Sequence, residues 1–281
     1  MPLAINTNTM SINAQRHLTN NTNMLSKSLE KLASGYRINR AGDDAAGLQL
    51  SENLRAQIRG SQKAYANVQD GINVLNIADG SMDTITNNLQ RMRELAVQAA
   101  NDTYSTEQRS AITTEMEALR SDIDRIAEAA QFNGVTLLGT TAPANFFIQL
   151  GANDSATVDA LNIGDALDSM TSSGLALTSA ATNITTNSTA QLYIGSIDNA
   201  LSTLNTNRAA LGAFVNRLEG AASNLLNSIE NQSSAESRIR NVDVAAESAN
   251  MTRNQILQQA SATVLSQANQ APSLALRLLG G

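Results

Sequence analysis

Apolar residues recur along most of this chain at alternating steps of three and four, the spacing that gathers them on one face of an α-helix. In the first segment Leu18, Leu25, Leu29, Leu32 and Tyr36 keep the rhythm, and only Arg16, Lys27, Glu30 and Lys31 carry full charge before Arg37. The last segment repeats the character. Ile256, Leu257, Ala260, Val264, Ala268 and Ala271 recur at helical spacing, and Arg277 is the one charge from Asn254 onward. Helices so weakly charged need a partner surface. One at each terminus describes a subunit whose ends fold on each other and on copies of itself.

Between the ends the pattern predicts longer elements. Ser34, Gly35 and the Gly42-Asp43-Asp44 cluster break the first helix, and Asp43 or Asp44 can cap the next. That helix carries Leu54, Ile58, Ser61, Tyr65, Val68, Ile72 and Leu75, then one extra step of three, then Ala78, Met82, Ile85, Leu89, Met92, Ala96 and Ala99. Residues 45 to 100 contain no proline, so a rod about 80 Å long is expected, locally overwound at the extra step. A turn with Ser105 or Thr106 as cap leads to a third helix with Ile112, Met116, Leu119, Ile123, Ile126 and Ala130, ended by Asn133-Gly134.

The period then changes. Val135 to Leu138, Phe146 to Leu150 and Thr157 to Ile163 are short and β-prone, with turn residues at Gly151 to Asp154. They predict a small β-hairpin region over about 135–163. Residues 171–189, rich in Ser, Thr, Ala and Asn and without charge, read as an exposed loop. From near Ala190 a heptad pattern resumes with Ile194, Ile197, Leu201, Leu204, Leu211, Val215, Leu218, Ala222, Leu225 and Ile229, interrupted by Arg208. Ser233 and Ser234 mark a junction before the terminal helix, which continues through Pro272. The expected fold is mainly α: an elongated antiparallel helical bundle or coiled coil. The termini lie at one end, and the hairpin and loop at the other, where the long helices reverse.

Composition narrows the chemistry. The 281 residues contain no cysteine and one histidine, His17, which removes disulfides and thiolate metal sites and disfavours zinc or Ser-His-Asp catalysis. A net charge of −6 argues against non-specific nucleic-acid or anionic-membrane binding. No cleavable signal peptide is evident, and no run approaches the roughly 18 apolar residues of a membrane span. Neither a GxxxxGK[ST] loop nor an HExxH motif occurs. Gly42-Asp43-Asp44 reads as a helix cap before an acidic catalytic turn. Glu94 with Arg91 and Arg93, and Glu115 with Glu117, read as solvated helix charges before acid–base pairs. Asn183-Ile184-Thr185 and Asn187-Ser188-Thr189 fit a glycosylation pattern that is common in Asn/Thr-rich loops.

Several blocks in order carry a resemblance. They are Ala4 to Asn8, Glu30 to Asn39, Asp43 to Gly47, Asn88 to Gln98, and Gln131-Phe132-Asn133-Gly134. Ser237-Arg238-Ile239, Asn250-Met251, Gln255 to Ala260, Gln267 to Gln270 and Leu278-Leu279 follow. In these the chain resembles the bacterial flagellins, over about residues 1–165 and 190–281. The resemblance implies a non-enzymatic structural subunit without cofactors, exported by the flagellar secretion apparatus and polymerised outside the cell into the flagellar filament for motility. It implies a terminal helical pair from 1–44 and 238–281, disordered in the monomer and lining the filament core. Around it would stand a helical rod from 45–170 and 190–237. The 171–189 loop would replace the large outer domains of many relatives.

The polymerisation core would then comprise Leu18, Leu25, Leu29, Leu32, Ile256, Leu257, Val264, Leu265, Leu278 and Leu279. Implied partners are the chain itself, a flagellar export chaperone, cap proteins and vertebrate Toll-like receptor 5, with no nucleic acid and no membrane insertion. The family's receptor-contact positions fall on Gln90, Arg91, Leu95 and Glu115, and the heptad leaves Arg91 and Leu95 partly outward. Two other readings stay open: a hook–filament junction protein, and a soluble helical hydrolase.

Overall fold

A computed structural model describes residues 7–155, 158–177 and 184–279, the last nine of these in backbone only. Five long helices dominate: α1 Thr9–Ser34, α2 Ala45–Ala99, α3 Thr106–Ala129, α4 Asn187–Arg240 and α5 Val244–Leu279. Short strands β1 Gln131–Phe132, β2 Val135–Thr136, β3 Phe147–Gln149 and β4 Ala160–Asn162 form two separate antiparallel pairs, β1–β2 and β3–β4. The chain divides into two compact units, Met1–Ala56 with Asn231–Gly281 and Gln57–Glu230, and α2 and α4 run through both.

Several helix ends follow from local chemistry. Asn8 caps α1 by accepting from the Ser11 amide, and Gly35 ends it in the left-handed region at φ +73°, where a Cβ would be strained. Of the two aspartates expected to cap α2, Asp44 does so by accepting from the Gly47 amide at 2.9 Å. Asp43 closes the preceding turn instead, accepting from the amides of Asn39 and Arg40. Ser105 and Gln108 form a reciprocal capping box at the start of α3. The junction expected at Ser233-Ser234 lies inside α4. The break falls at Asn241 to Asp243, where Asp243 accepts from the amides of Ala245 and Ala246. Two serines cost a helix little, whereas an aspartate with free amides ahead of it starts a new one. Helix α1 begins at Thr9, close to the first described residue.

In the unit from Gln57 to Glu230, α2, α3, α4 and β3–β4 share one core built on Leu75, Met82, Ile85, Leu89, Met92, Met116, Ile123, Ile197 and Leu204. The helices α2 and α4 are antiparallel: Asn187 donates to the Ala100 carbonyl, Arg93 pairs with Asp198, and Arg208 bridges Asp79 and Asp83. Arg208, which interrupts the apolar pattern, is thereby the clamp between the two helices.

The buried seam of α2 is an unbroken heptad: Ser61, Ala64, Val68, Gly71, Leu75, Ala78, Met82, Ile85, Leu89 and Met92. The expected extra step is absent, because Tyr65 and Ile72 are half-buried flanks and the small Ala64 and Gly71 take the seam. The β3–β4 hairpin is why. A Cβ on Gly71 would meet Ile148 and Leu218, one on Gly60 would meet Ala152, and Asn67 donates to the Gln149 carbonyl. The hairpin therefore lies along the flank of α2 and not at the reversal of the long helices. The third helix runs back from that reversal and delivers the chain there. Strand pairing also starts earlier than expected: Asn133-Gly134 is the turn of β1–β2, with both residues at positive φ.

Residues 171–177, expected as exposed loop, are largely packed: Thr171, Ser172, Leu175 and Leu177 are buried, and Ile184 is buried again where description resumes. Ser172 donates its amide and hydroxyl to the two oxygens of Asp124, and the Met170 amide donates to the Leu138 carbonyl. Polar composition suggested solvent, but these side chains have protein partners. Residues 178–183 of that expected loop lie outside the described residues.

In the other unit the α1–α2 and α4–α5 connections are clasped. Tyr36 bridges Asn241, Arg37 donates its amide to the Arg240 carbonyl, and Val242 donates to the Gly35 carbonyl. The Arg240 guanidinium stacks 4.5 Å from the Tyr36 ring and pairs with Glu52 at 2.6 Å. Donation from Arg240, then Arg55, lowers the Glu52 pKa below the ordinary 4.5. A carboxylate depressed on folding contributes stability above its unfolded value and loses it as pH falls through the folded one. Glu52→Gln should therefore lower stability above pH ~4.5 and flatten its dependence below that point, as followed by circular dichroism during acid titration.

Tyr193 on α4 is 1% exposed, its hydroxyl has no hydrogen-bond partner among the described residues, and burial pushes its pKa up to about 12. An unpaired buried hydroxyl costs roughly 1–3 kcal/mol. Tyr193→Phe should accordingly raise the melting temperature, and a fall would mean that the hydroxyl is satisfied in solution.

Candidate assembly surface

The helices α1 and α5 pair antiparallel through a seam made mostly of small and amide side chains. From Ser11 through Ala14, Leu18, Asn21, Leu25 and Ser28 to Leu32, every residue is buried or half-buried at heptad spacing, and Met251, Asn254, Gln258, Ser261, Leu265 and Ala268 answer from α5. The contacts form a polar ladder. Ser11 donates to Asn269 at 2.7 Å, Asn21 to Ser261 at 2.8 Å, Gln258 to Thr22 at 3.2 Å, and Asn254 to Ser28 at 3.4 Å. Asn8 closes one end by donating to the Ala268 carbonyl at 2.7 Å.

What this seam leaves outside includes large apolar side chains. Ile256 is 61% exposed, Val264 54% and Leu257 42%, and on α1 Met10, Ile12, Met24 and Leu29 are exposed as well. A groove between the two helices is lined by Ala14, His17 and Asn21 on one side and Leu257, Ala260 and Val264 on the other. A soluble pair would normally invert this arrangement, with large apolar side chains in the seam and polar ones outside.

The expected core set therefore splits in two. Leu18, Leu25, Leu32 and Leu265 serve the α1–α5 seam, whereas Leu29, Ile256, Leu257 and Val264 face out. The side chains of Leu278 and Leu279 lie outside the described residues. Sequence reading missed the polar half of the seam and the outward methionines. Asn254, Gln258 and Ser261 do step by four and three, a signal that an apolar-only count passes over.

A second surface lies on α2 and α3. Arg91 donates from Nε and Nη2 to one Glu115 oxygen at 3.2 and 3.0 Å and from Nη1 to Glu94 at 3.1 Å, so the predicted Arg91 and Glu115 do meet. These donations, Glu115 first, raise the Arg91 pKa. Gln90 stands exposed beside them. Leu95 does not join this surface: it is 2% exposed and belongs to the core. Here α2 faces two helices at once, with Arg91 reaching α3 and Arg93 reaching α4, so it buries a wider arc than a single heptad seam. Among the described residues no helix is long and apolar enough to cross a membrane.

Residues 5–142 match the bacterial flagellin N-terminal helical region, and residues 194–279 match the bacterial flagellin C-terminal helical region. The flagellin of Halalkalibacterium halodurans is 44% identical over 99% of this chain and 100% of its own length. The flagellar filament 33 kDa core protein of Treponema phagedenis is 41% identical over 99% of this chain and 100% of its own. A crystal structure of Bacillus cereus flagellin, 32% identical, covers 57% of this chain and 88% of that one with a TM-score of 0.49. Two family regions in order and full-length relatives at this identity leave one conclusion: the chain belongs to the bacterial flagellin family.

Proposed function

We infer that this chain is a structural subunit of the bacterial flagellar filament and that the outward apolar face of α1 and α5 is its polymerisation surface. The observation that carries the reading is the inverted helix pair: polar contacts hold α1 to α5, and Leu257, Val264 and Ile256 remain for other copies. Fully burying one such side chain contributes roughly 1.5–3 kcal/mol, repeated at every subunit added. The subunit leaves the cell through the flagellar export apparatus, accompanied by an export chaperone, and adds beneath cap proteins at the filament tip. In the monomer the terminal helices order only on assembly, because the polar ladder alone offsets little of the roughly 1–2 kcal/mol of backbone entropy per residue. The activity is mechanical and needs no catalytic group.

Introducing aspartate at Leu257 or Val264 should leave a helical monomer that no longer elongates filament seeds. Electron microscopy and sedimentation after seeding read the result. Normal growth of either variant would exclude this face from assembly.

The Arg91–Glu115 surface supports a second role, recognition of the monomer by Toll-like receptor 5 through Gln90, Arg91 and Glu115. An exposed ion pair contributes little to stability, so its planar guanidinium can be redirected to a partner at small cost. Arg91→Ala should weaken monomer binding to the receptor ectodomain by about tenfold or more. Arg125→Ala, which removes an exposed pair with Asp122 elsewhere on α3, should leave binding unchanged. Equal effects of the two would remove Arg91 from the contact.

A further inference from the structure

Six of the chain's eight methionines fall into two groups of opposite exposure. Met82, Met92, Met116 and Met170 are fully buried in the core, whereas Met10 is 57% exposed and Met24 54%. Both exposed residues are on α1. Met10, His17 and Met24 follow one another at seven-residue intervals and so share one edge of that helix. His17 lines the groove opposite Leu257 and Val264, so this edge borders the apolar face assigned above to assembly. Leucine or isoleucine would supply the same apolar area there. A thioether differs from them in one respect: it can be oxidised.

We propose that Met10 and Met24 are reversible oxidation sites through which peroxide or hypohalous acid blocks polymerisation of the free subunit, an inference that rests on the filament reading above. A thioether sulfur attacks the peroxide, the O–O bond breaks, and an S=O bond forms. The sulfur is oxidised by two electrons while the peroxide is reduced to water. The product is a polar, chiral sulfoxide that a dry apolar interface accommodates poorly. A methionine sulfoxide reductase with a dithiol reductant returns the thioether, releasing the oxygen as water and leaving a disulfide. Exposure makes the two sites reactive in the free chain, whether α1 is paired with α5 or released from it. Burial protects Met82, Met92, Met116 and Met170 as long as the core is folded. Assembly itself should then shield Met10 and Met24, so the block acts on subunits that have yet to join a filament.

The test treats monomer with hydrogen peroxide at graded doses, maps sulfoxides by peptide mass spectrometry, and measures elongation of untreated seeds. Met10 and Met24, together with Met251 where α5 is released, should oxidise before the core methionines, and elongation should fall by about tenfold or more as Met10 and Met24 do. Preformed filaments given the same dose should stay unoxidised at both positions. The double variant Met10→Leu, Met24→Leu should elongate before treatment and keep elongating after it. Incubating the oxidised wild-type chain with methionine sulfoxide reductases and dithiothreitol should restore growth, an arm that decides the matter even if the double variant assembles poorly untreated. Full-rate growth of a chain oxidised at both positions would overturn the proposal. So would equal inhibition of the double variant, which would move the block to another residue such as the half-buried Met251. Failure of the untreated wild-type chain to extend seeds would instead remove the filament reading, and this proposal with it.

Discussion

The pairing of α1 with α5 through side-chain hydrogen bonds is the constraint on which the rest depends. Hydrogen bonds between amides and hydroxyls are directional and short-ranged, but each adds only about 0.5–1.5 kcal/mol net, because water competes for the same groups. Such a seam fixes register without making the pair self-sufficient. It also leaves the large apolar residues free. Had Ile256, Leu257 and Val264 faced α1, the terminal pair would be a stable hairpin with nothing to offer a second copy. The division of labour is therefore partial: small polar residues, interleaved with Leu18, Leu25, Leu32 and Leu265, set the register within the subunit, while Leu29, Ile256, Leu257 and Val264 stay outside it.

The unit from Gln57 to Glu230 solves a different problem. Its core is conventional and deep, and its seam on α2 follows one heptad register through small residues where the β3–β4 hairpin approaches. Methionines and aliphatics interlock there without tryptophan. Some of its exposed charges pair across helices, as Arg208 does with Asp79 and Asp83 and Arg93 with Asp198. Such clamps suit register more than raw stability, since surface pairs contribute little each.

Much of this was legible from spacing. The helices, the α2 cap and the Gly35 stop follow from local chemistry that tertiary contacts reinforce. The misreadings share a cause: polarity and size were treated as proxies for position. Tyr65 and Ile72 look like seam residues, yet Ala64 and Gly71 take the seam, and at Gly71 Ile148 of the hairpin and Leu218 of α4 approach closely. Ser233-Ser234 looks like a joint, yet serines continue a helix when no cap follows. Thr171 and Ser172 look solvated, yet Asp124 accepts from the backbone and hydroxyl of Ser172. Leu95 looks peripheral to one seam, yet two neighbouring helices enlarge the buried arc. Except at Ser233-Ser234, where the local cap at Asp243 decides, the deciding partner is distant in sequence, which a periodic pattern does not encode.

The packing of residues 170–177 has a practical corollary. Leu177 is buried and donates its amide to the Ser172 carbonyl, and Ile184 is buried a few residues further along the chain. Both flanks of the intervening stretch are thus fastened to the body independently of what joins them. Lengthening a segment between two fixed posts costs only about 0.6 kcal/mol per doubling. A change in the length of chain joining Leu177 to Ile184 is accordingly cheap in closure entropy. The two posts keep their own contacts with the body whatever length joins them, so sequence variation there and helix register are separable.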